Sequence, residues 1–355
     1  MSASVLCFSV TPNGEVFFLL GKQAAPRNGH YTRAANTWCD FGGHEAARDG
    51  ADQATTAARE FYEESLCCVN IDGGEVPTAS LTERVSSLAH SLRSGNYSAS
   101  IAVPVGGQGP PHVCYLKHIP WDAAAPRTFD LMRAAASAIR EESKALTWMA
   151  RRRPEGLRMQ FFEHWLYGLA PGRRCIRVTS LHWAGADAIT ATFRDGHTVT
   201  TLTQPLPDRF AAADVENYRT YIRRTDKMHA LWERLTPQQK VHPAIKCTWW
   251  RGRVIRMTVQ RYFMEMQRIS WWGLPALHDL VRAMGCSRSS VIRGCFMPTI
   301  RIALDYLAAR HGTHAGLLHP IPIPIKRRKC VYDHLLSGAG EPKIEPESTQ
   351  ADTEA

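Results

Sequence analysis

Arg59-Glu60-Phe61-Tyr62-Glu63-Glu64 puts three carboxylates and one guanidinium into six residues, shortly after the paired glycines Gly42-Gly43. On a helix, Glu60 and Glu64 are four apart and Glu60 and Glu63 three apart, so the acids share one face. Like charges so placed repel, which costs stability unless a cation neutralises them. A hard divalent cation with oxygen ligands is the natural partner. The stretch reads first as a metal site for phosphate chemistry, with a solvated acidic helix face as the alternative.

The flanks give the stretch a setting. Val5 to Val10 and Val16 to Leu20 read as strands joined by the turn Pro12-Asn13-Gly14. Thr37 to Phe41 is a short strand ending in the double glycine. Gln53 to Cys68 is helical, with Ala54, Ala57, Ala58, Phe61 and Leu66 on its apolar face. Val113 to Ile119 is a further strand, and Thr128 to Met149 and Leu157 to Leu169 are amphipathic helices. A change comes near Pro171-Gly172. Ile176 to Val199 reads as strands around the turn Asp195-Gly196, and Val254 to Tyr262 as another strand. Asp214 to Leu235, Leu274 to Met284 and Ile300 to Arg310 read as helices. Leu317 to Ile325, with three prolines, is extended, and the tail from Ser337 is expected to be disordered. Glu142 to Trp148 echoes Glu265 to Trp271 in acid, apolar and Trp spacing. Chance in a Trp- and Arg-rich chain explains the echo slightly better than duplication.

At 355 residues the chain fits two domains, or one core with a large elaboration. Its formal charge is +10, and 44% of it is hydrophobic. From Ser337 onward five acids face one lysine, so the remainder is more basic still. A basic body suits a polyanionic partner such as nucleic acid, a nucleotide or an inositol phosphate. The ten cysteines form no Cys-x-x-Cys pair and no zinc spacing, so most read as buried free thiols in a reducing compartment. The start of the chain lacks a signal-peptide pattern and no apolar run reaches membrane-spanning length. The expectation is an intracellular protein, cytoplasmic or nuclear, without a membrane partner.

Residues 38 to 64 resemble the Nudix hydrolase box. That family's pattern is Gly, five residues, Glu, seven residues, then Arg-Glu-apolar-any-Glu-Glu-any-Gly-apolar. Arg59, Glu60, Phe61, Glu63 and Glu64 fit its second half, and Gly43 fits its opening glycine with two residues inserted. Counted back from Arg59, the family's first Glu falls at Ala51, beside Asp52, and its late Gly falls at Leu66. Either Asp52 takes the polar role of the missing Glu, or the loop differs. The resemblance implies an α/β fold, a Nudix α/β/α sandwich with a mixed sheet over residues 1–170. A basic, Trp-rich α+β region follows over 171–336, and an acidic tail over 337–355. It also implies metal-assisted hydrolysis of a diphosphate linked to another group. Gly43, through its carbonyl, with Glu60, Glu63 and Glu64, would hold Mg2+ or Mn2+, and Arg59 would orient the carboxylates. Glu64, or Glu142 or Glu141 before Leu146-Thr147-Trp148, are the candidate general bases, with Glu265 behind them.

The glycine context and the long carboxy-terminal extension are similar to the mRNA-decapping Nudix proteins of large DNA viruses, of poxvirus and asfarvirus type. That likeness implies capped RNA as substrate and 7-methyl-GDP as product. The alternatives are hydrolysis of a (d)NTP, nucleotide sugar or diphosphoinositol phosphate, and a catalytically weak RNA-binding protein on a Nudix scaffold. Basic clusters with neighbouring aromatics bear on the choice. Arg151, Arg152 and Arg153, and Trp249 and Trp250 beside Arg251 and Arg253, are candidate RNA contacts, since arginines track phosphates and aromatics stack bases. Large aromatics are more often core, and at least one of the pairs Trp249-Trp250 and Trp271-Trp272 is expected there. Lys326 to Lys329 also fits a nuclear import signal.

Overall fold

The computed structural model describes residues 1–24, 36–71, 80–104, 110–151, 153–169, 177–250, 252–284 and 291–311. Its centre is a mixed sheet. β1 (Ser2–Val10) turns through Thr11 to Glu15 into β2 (Val16–Gln23), with Gly14 supplying the positive φ of 81° that the turn requires. β3 (Trp38–Cys39) pairs with β2, and β4 (Phe41–His44) pairs with β1. β5 (Ala99–Val103), β6 (His112–His118) and a late strand complete the sheet. The β1–β6 pair is parallel and the others are antiparallel. β1 is buried at seven successive positions, Ala3 to Ser9, so both its faces are covered.

Helix α1 (Gln53–Glu64) packs on β1 and β4, with α2 (Leu81–Arg93) against it. After α3 (Ala125–Arg151) and α4 (Arg153–Gly168) comes a three-stranded antiparallel sheet. It comprises β7 (Arg177–Trp183), β8 (Ala188–Asp195) and β9 (Thr198–Pro205), with the expected turn at Asp195-Gly196. Helix α5 (Ala212–Arg234) and the short α6 (Pro237–Lys240) lead to the ribbon β10 (Ile245–Trp250) and β11 (Arg253–Val259). The late strand, β12 (Met266–Gly273), lies along β2, with Trp271 opposite Leu19 and Trp272 opposite Phe18. α7 (Leu274–Met284) and α8 (Met297–His311) close the described chain.

Two apolar clusters result. The larger draws on Ala3 to Ile139 and again on Met228 to Leu307. The smaller joins Phe162 and Leu166 of α4, Phe193 of β8 and Tyr218 of α5. α5 belongs to both, with Val215 and Ile222 in the smaller cluster and Met228 and Leu231 in the larger. The large sheet therefore takes an edge strand from beyond residue 171, the part read from sequence as accessory. Residues 170–176, around the expected boundary, lie outside the described residues, as do Leu317 to Ile325, Lys326 to Lys329 and the acidic tail. Glu142 to Trp148 lies on helix α3, whereas Met266 to Trp271 is strand, so the sequence echo has no structural counterpart.

The two parts are also tied by one buried imidazole. His242 Nε2 donates to Leu66 O at 2.7 Å, while its Nδ1 accepts from Ala244 N at 3.2 Å, so the ring is held neutral. Burial lowers its pKa from 6.5 to about 4. A base whose folded pKa is depressed stabilises the fold fully above its unfolded pKa and loses that contribution as pH falls. Stability is therefore expected to fall by up to about 3 kcal/mol between pH 6.5 and 4, at 1.36 kcal/mol per pKa unit. Urea unfolding across that range checks it. A His242→Gln chain with the same acid slope would remove the assignment.

Candidate active site

The site begins with the start and stop of α1. Asp52 caps the helix by accepting from Ala54 N and Thr55 N, and it also pairs with Arg93 of α2. The helix ends at Glu64, short of the Cys68 expected from sequence. Cys67 N reaches back to Tyr62 O and Leu66 N to Glu63 O, which closes a Schellman turn. Leu66 stands at the left-handed position of that turn, with φ of 54°, where glycine is usual. Its side chain is fully buried, and apolar packing holds a backbone conformation that leucine otherwise avoids. Cys67 and Cys68 lie beyond the helix. The described cysteines are free thiols, most of them buried.

Arg59 is the brace. Its Nε and Nη2 hold both oxygens of Asp49 at 2.9 to 3.1 Å, its Nη2 also donates to His44 O, and its Nη1 pairs with Glu60 and Glu63. Burial works against the guanidinium's charge, but the surrounding carboxylates outweigh it and raise its pKa. Burial likewise opposes ionisation of Asp49, and its bonds from Arg59, Ala46 and Thr56 more than offset that and lower its pKa. Sequence reasoning missed Asp49. Counting back from Arg59 reached Ala51, whereas counting forward from Gly43 by the family's five-residue gap reaches Asp49. The two extra residues therefore lie between Asp49 and Arg59, and Asp52 is the helix cap.

Ala51 sits in that insertion with φ of 59° and an exposed side chain. Left-handed backbone costs a non-glycine residue about 1–2 kcal/mol, and glycine returns about half of that gain as chain entropy. Ala51→Gly is expected to raise the unfolding free energy by about 0.5–1 kcal/mol. A lower urea midpoint for the variant would contradict the strain argument.

The three helix acids have different surroundings. Glu64 is buried and accepts from Gly42 N at 2.7 Å. Burial first, then the nearby Glu60, drives its pKa well above the carboxylate range. Glu60 lies against Gly43, where a Cβ would come within 2.5 Å of its Oε1. Burial raises the Glu60 pKa to about 7, against the pull of Arg59. Glu63 is held by Arg59 and Arg48, and burial still raises its pKa.

The structure brings Glu265 to these acids, since its charge acts on both Glu60 and Glu64. Glu142 does not join them. It faces Arg224 at 3.8 Å, and Glu141 pairs with Lys144 on the same helix. Among the RNA-contact candidates, Trp249 and Trp250 are half exposed, and Arg253 pairs with Asp226. Trp271 and Trp272 pack against the larger core, Trp271 on Trp121 and Trp272 on Trp38. Arg152 and Arg251 lie outside the described residues, and the side chains of Arg151 and Arg153 are not among those described.

Two features bear on a divalent ion. The donors are hard carboxylate oxygens, and nearby acids raise the cost of ionising them, Glu60 that of Glu64, and Glu63 and Glu265 that of Glu60, which a cation would relieve. Gly43 leaves open the space beside Glu60 that any side chain would fill. Glu63, in contrast, is committed to two arginines. Among the described residues, no group of three or more His, Cys, Asp or Glu side chains forms a ready metal cage.

No family model matches the chain, and no curated protein matches it. Among solved structures it is similar to a Nudix hydrolase from M. Smegmatis, RenU, at 13% identity and a TM-score of 0.19. That match covers 34% of this chain and 61% of the other, so the chain spans less than two thirds of that protein. What the fold defines is a mixed α/β protein built on a mixed sheet. Among its described residues no helix is long and apolar enough to cross a membrane.

Proposed function

We propose that this chain is a Nudix-type hydrolase that uses Mg2+ or Mn2+ to cleave a nucleoside-diphosphate-linked substrate, with capped mRNA as the preferred substrate and 7-methyl-GDP as product. The carrying observation is the buried Arg59–Asp49 brace, which fixes α1 against the Gly42-Gly43 strand, with Glu60 sharing Arg59 with Glu63 and both Glu60 and Glu64 raised in pKa by burial. Glu60 and Glu64, with the Gly43 carbonyl, are the groups that would hold the ion. When bound, the ion offsets phosphate charge and lowers the pKa of water. Glu64 keeps its orientation through Gly42 N, and Glu265 replaces Glu142 as the second candidate to accept a proton from the attacking water. The basic second half favours RNA over a small nucleotide.

The test gives the full chain cap-labelled RNA, GTP and a diphosphoinositol phosphate, each with Mg2+ and with Mn2+. Release of 7-methyl-GDP that uncapped RNA competes away, and free cap analogue does not, supports decapping. Preferential cleavage of GTP or the inositol pyrophosphate moves the assignment to a small-substrate diphosphohydrolase. Glu265→Gln is expected to lower kcat more than Glu142→Gln. A second reading, an RNA-binding protein on a retired scaffold, is favoured by the commitment of Glu63 to Arg48 and Arg59. RNA binding with no phosphoanhydride product in either metal selects it.

A further inference from the structure

A second place in the molecule crowds positive charge against aromatic rings, and it shares no residue with the carboxylate site. It is a cleft where α4 and α5 meet β7 and the β10–β11 ribbon. Arg177 enters it from β7 and Arg253 from β11. Arg177 stands directly across the strand pair from Arg194, and like charges in that position repel. Burial first, and then Arg253 and Arg194, lower the Arg177 pKa against the pull of Asp226, so Arg177 feels both guanidiniums.

The nearby acids are already engaged. Asp226 pairs with Arg253, and Glu163 accepts from Tyr218 Oη at 3.2 Å. Among the described residues no carboxylate lies within ion-pair distance of Arg177, and the buried Nε of Arg253 has no hydrogen-bond partner. Counting Arg194, which stands across from Arg177 outside the lining, three guanidiniums meet the two carboxylates Asp226 and Glu163, an excess of one positive charge. Such an arrangement persists at a cost in repulsion, and an anion in the cleft relieves it.

The walls say which anion. Tyr167, Tyr221 and Trp250 line the cleft. Trp250 is directly opposite Arg253 in the ribbon register and half exposed, so a ring face and a guanidinium are presented side by side at the rim. A guanidinium grips phosphate oxygens in pairs, and a half-exposed indole stacks a planar base. We propose that this cleft binds a nucleoside monophosphate unit, its phosphate on Arg177 and Arg253 and its base on Trp250. The unit is either a free nucleotide or one residue of a single-stranded nucleic acid. The proposal stands apart from the hydrolase reading, because it invokes neither a metal nor turnover.

The experiment is isothermal titration of the full chain in EDTA at low salt with AMP, inorganic phosphate and a short oligouridylate. The expected result is AMP binding that Arg177→Gln weakens about tenfold or more and Arg177→Lys weakens less. Trp250→Ala, in a chain shown to be folded by circular dichroism, is expected to weaken AMP about tenfold and leave inorganic phosphate unchanged. Oligouridylate tighter than AMP assigns the cleft to nucleic acid, and equal or weaker binding assigns it to free nucleotide. The proposal is overturned if neither AMP nor oligouridylate binds at millimolar concentration. It is also overturned if Trp250→Ala or a folded Arg177→Gln chain, checked by circular dichroism, binds AMP like the parent. Because cap cleavage plays no part in the readout, loss of the hydrolase reading leaves the outcome intact.

Discussion

Arg59→Ala is expected to lower the unfolding free energy by about 3–5 kcal/mol, the range for breaking a buried ion pair from one side. The size follows from what remains behind. The Asp49 side chain has no exposed surface, and that of Glu63 is 3% exposed. Without Arg59, Asp49 keeps its bonds from Ala46 N and Thr56 Oγ1 but loses its counter-charge, and Glu63 keeps only Arg48, whose side chain is half exposed. The carbonyl of His44 loses its donor too. Arg59→Lys is expected to recover only part of the loss, because one ammonium cannot span both Asp49 oxygens and His44 O. Arg59→Met combined with Asp49→Leu is expected to be less destabilising than the sum of its parts, since the pair leaves together. Urea unfolding of the three chains measures this. A loss below about 1 kcal/mol for Arg59→Ala would mean that the brace is solvated like a surface pair.

How far the sequence carried the structure depended on the range of the interactions involved. The β1–β2 hairpin was legible because its turn chemistry and its two short apolar runs lie within one window. The start of α1 was equally local, with Asp52 ahead of an Ala-rich helix. β12 was not legible. Its partner β2 is some 250 residues away in the chain, and Glu265 to Trp271 carries the same acid–apolar–Trp spacing as Glu142 to Trp148 in helix α3. β5, β10 and α2 went unread, although Leu81, Val85, Leu88, Ala89 and Leu92 of α2 recur at helical spacing behind the Ser80 cap. In the site, the helix acids were readable as a set, but their separate fates were not. Glu63 turns to Arg48 and Arg59, Glu64 to Gly42, and Glu265 arrives from the far end of a strand pair. The glycine expected at Leu66 is absent as a residue and present as a conformation, because burial of the leucine side chain supplies what a glycine's freedom otherwise would.

Glu64→Gln is the substitution that separates function from fold, and its two effects are expected to run in opposite directions. Glutamine keeps the length of the side chain, and its amide oxygen still accepts from Gly42 N. What it removes is a buried charge. Burial, then Glu60, hold the Glu64 carboxyl far above its ordinary pKa, so the fold favours the protonated acid. For such an acid the stability contribution is present below the unfolded pKa and is lost as pH rises through the folded one. The variant is therefore expected to match the parent near pH 4 and to be the more stable chain at pH 8 without divalent ions. Added Mn2+ is expected to raise the parent's Tm and to do so much less for the variant, because a ligand that binds only the folded state stabilises it. Hydrolysis of the substrate is expected to fall on the order of 10³-fold, as a lost ion-holding or proton-accepting carboxylate requires. Unchanged turnover in Glu64→Gln would remove Glu64 from the chemistry. A variant less stable than the parent at pH 8 would mean that its carboxylate is compensated by a cation of the protein's own, and the need for a divalent ion at this helix would go with it.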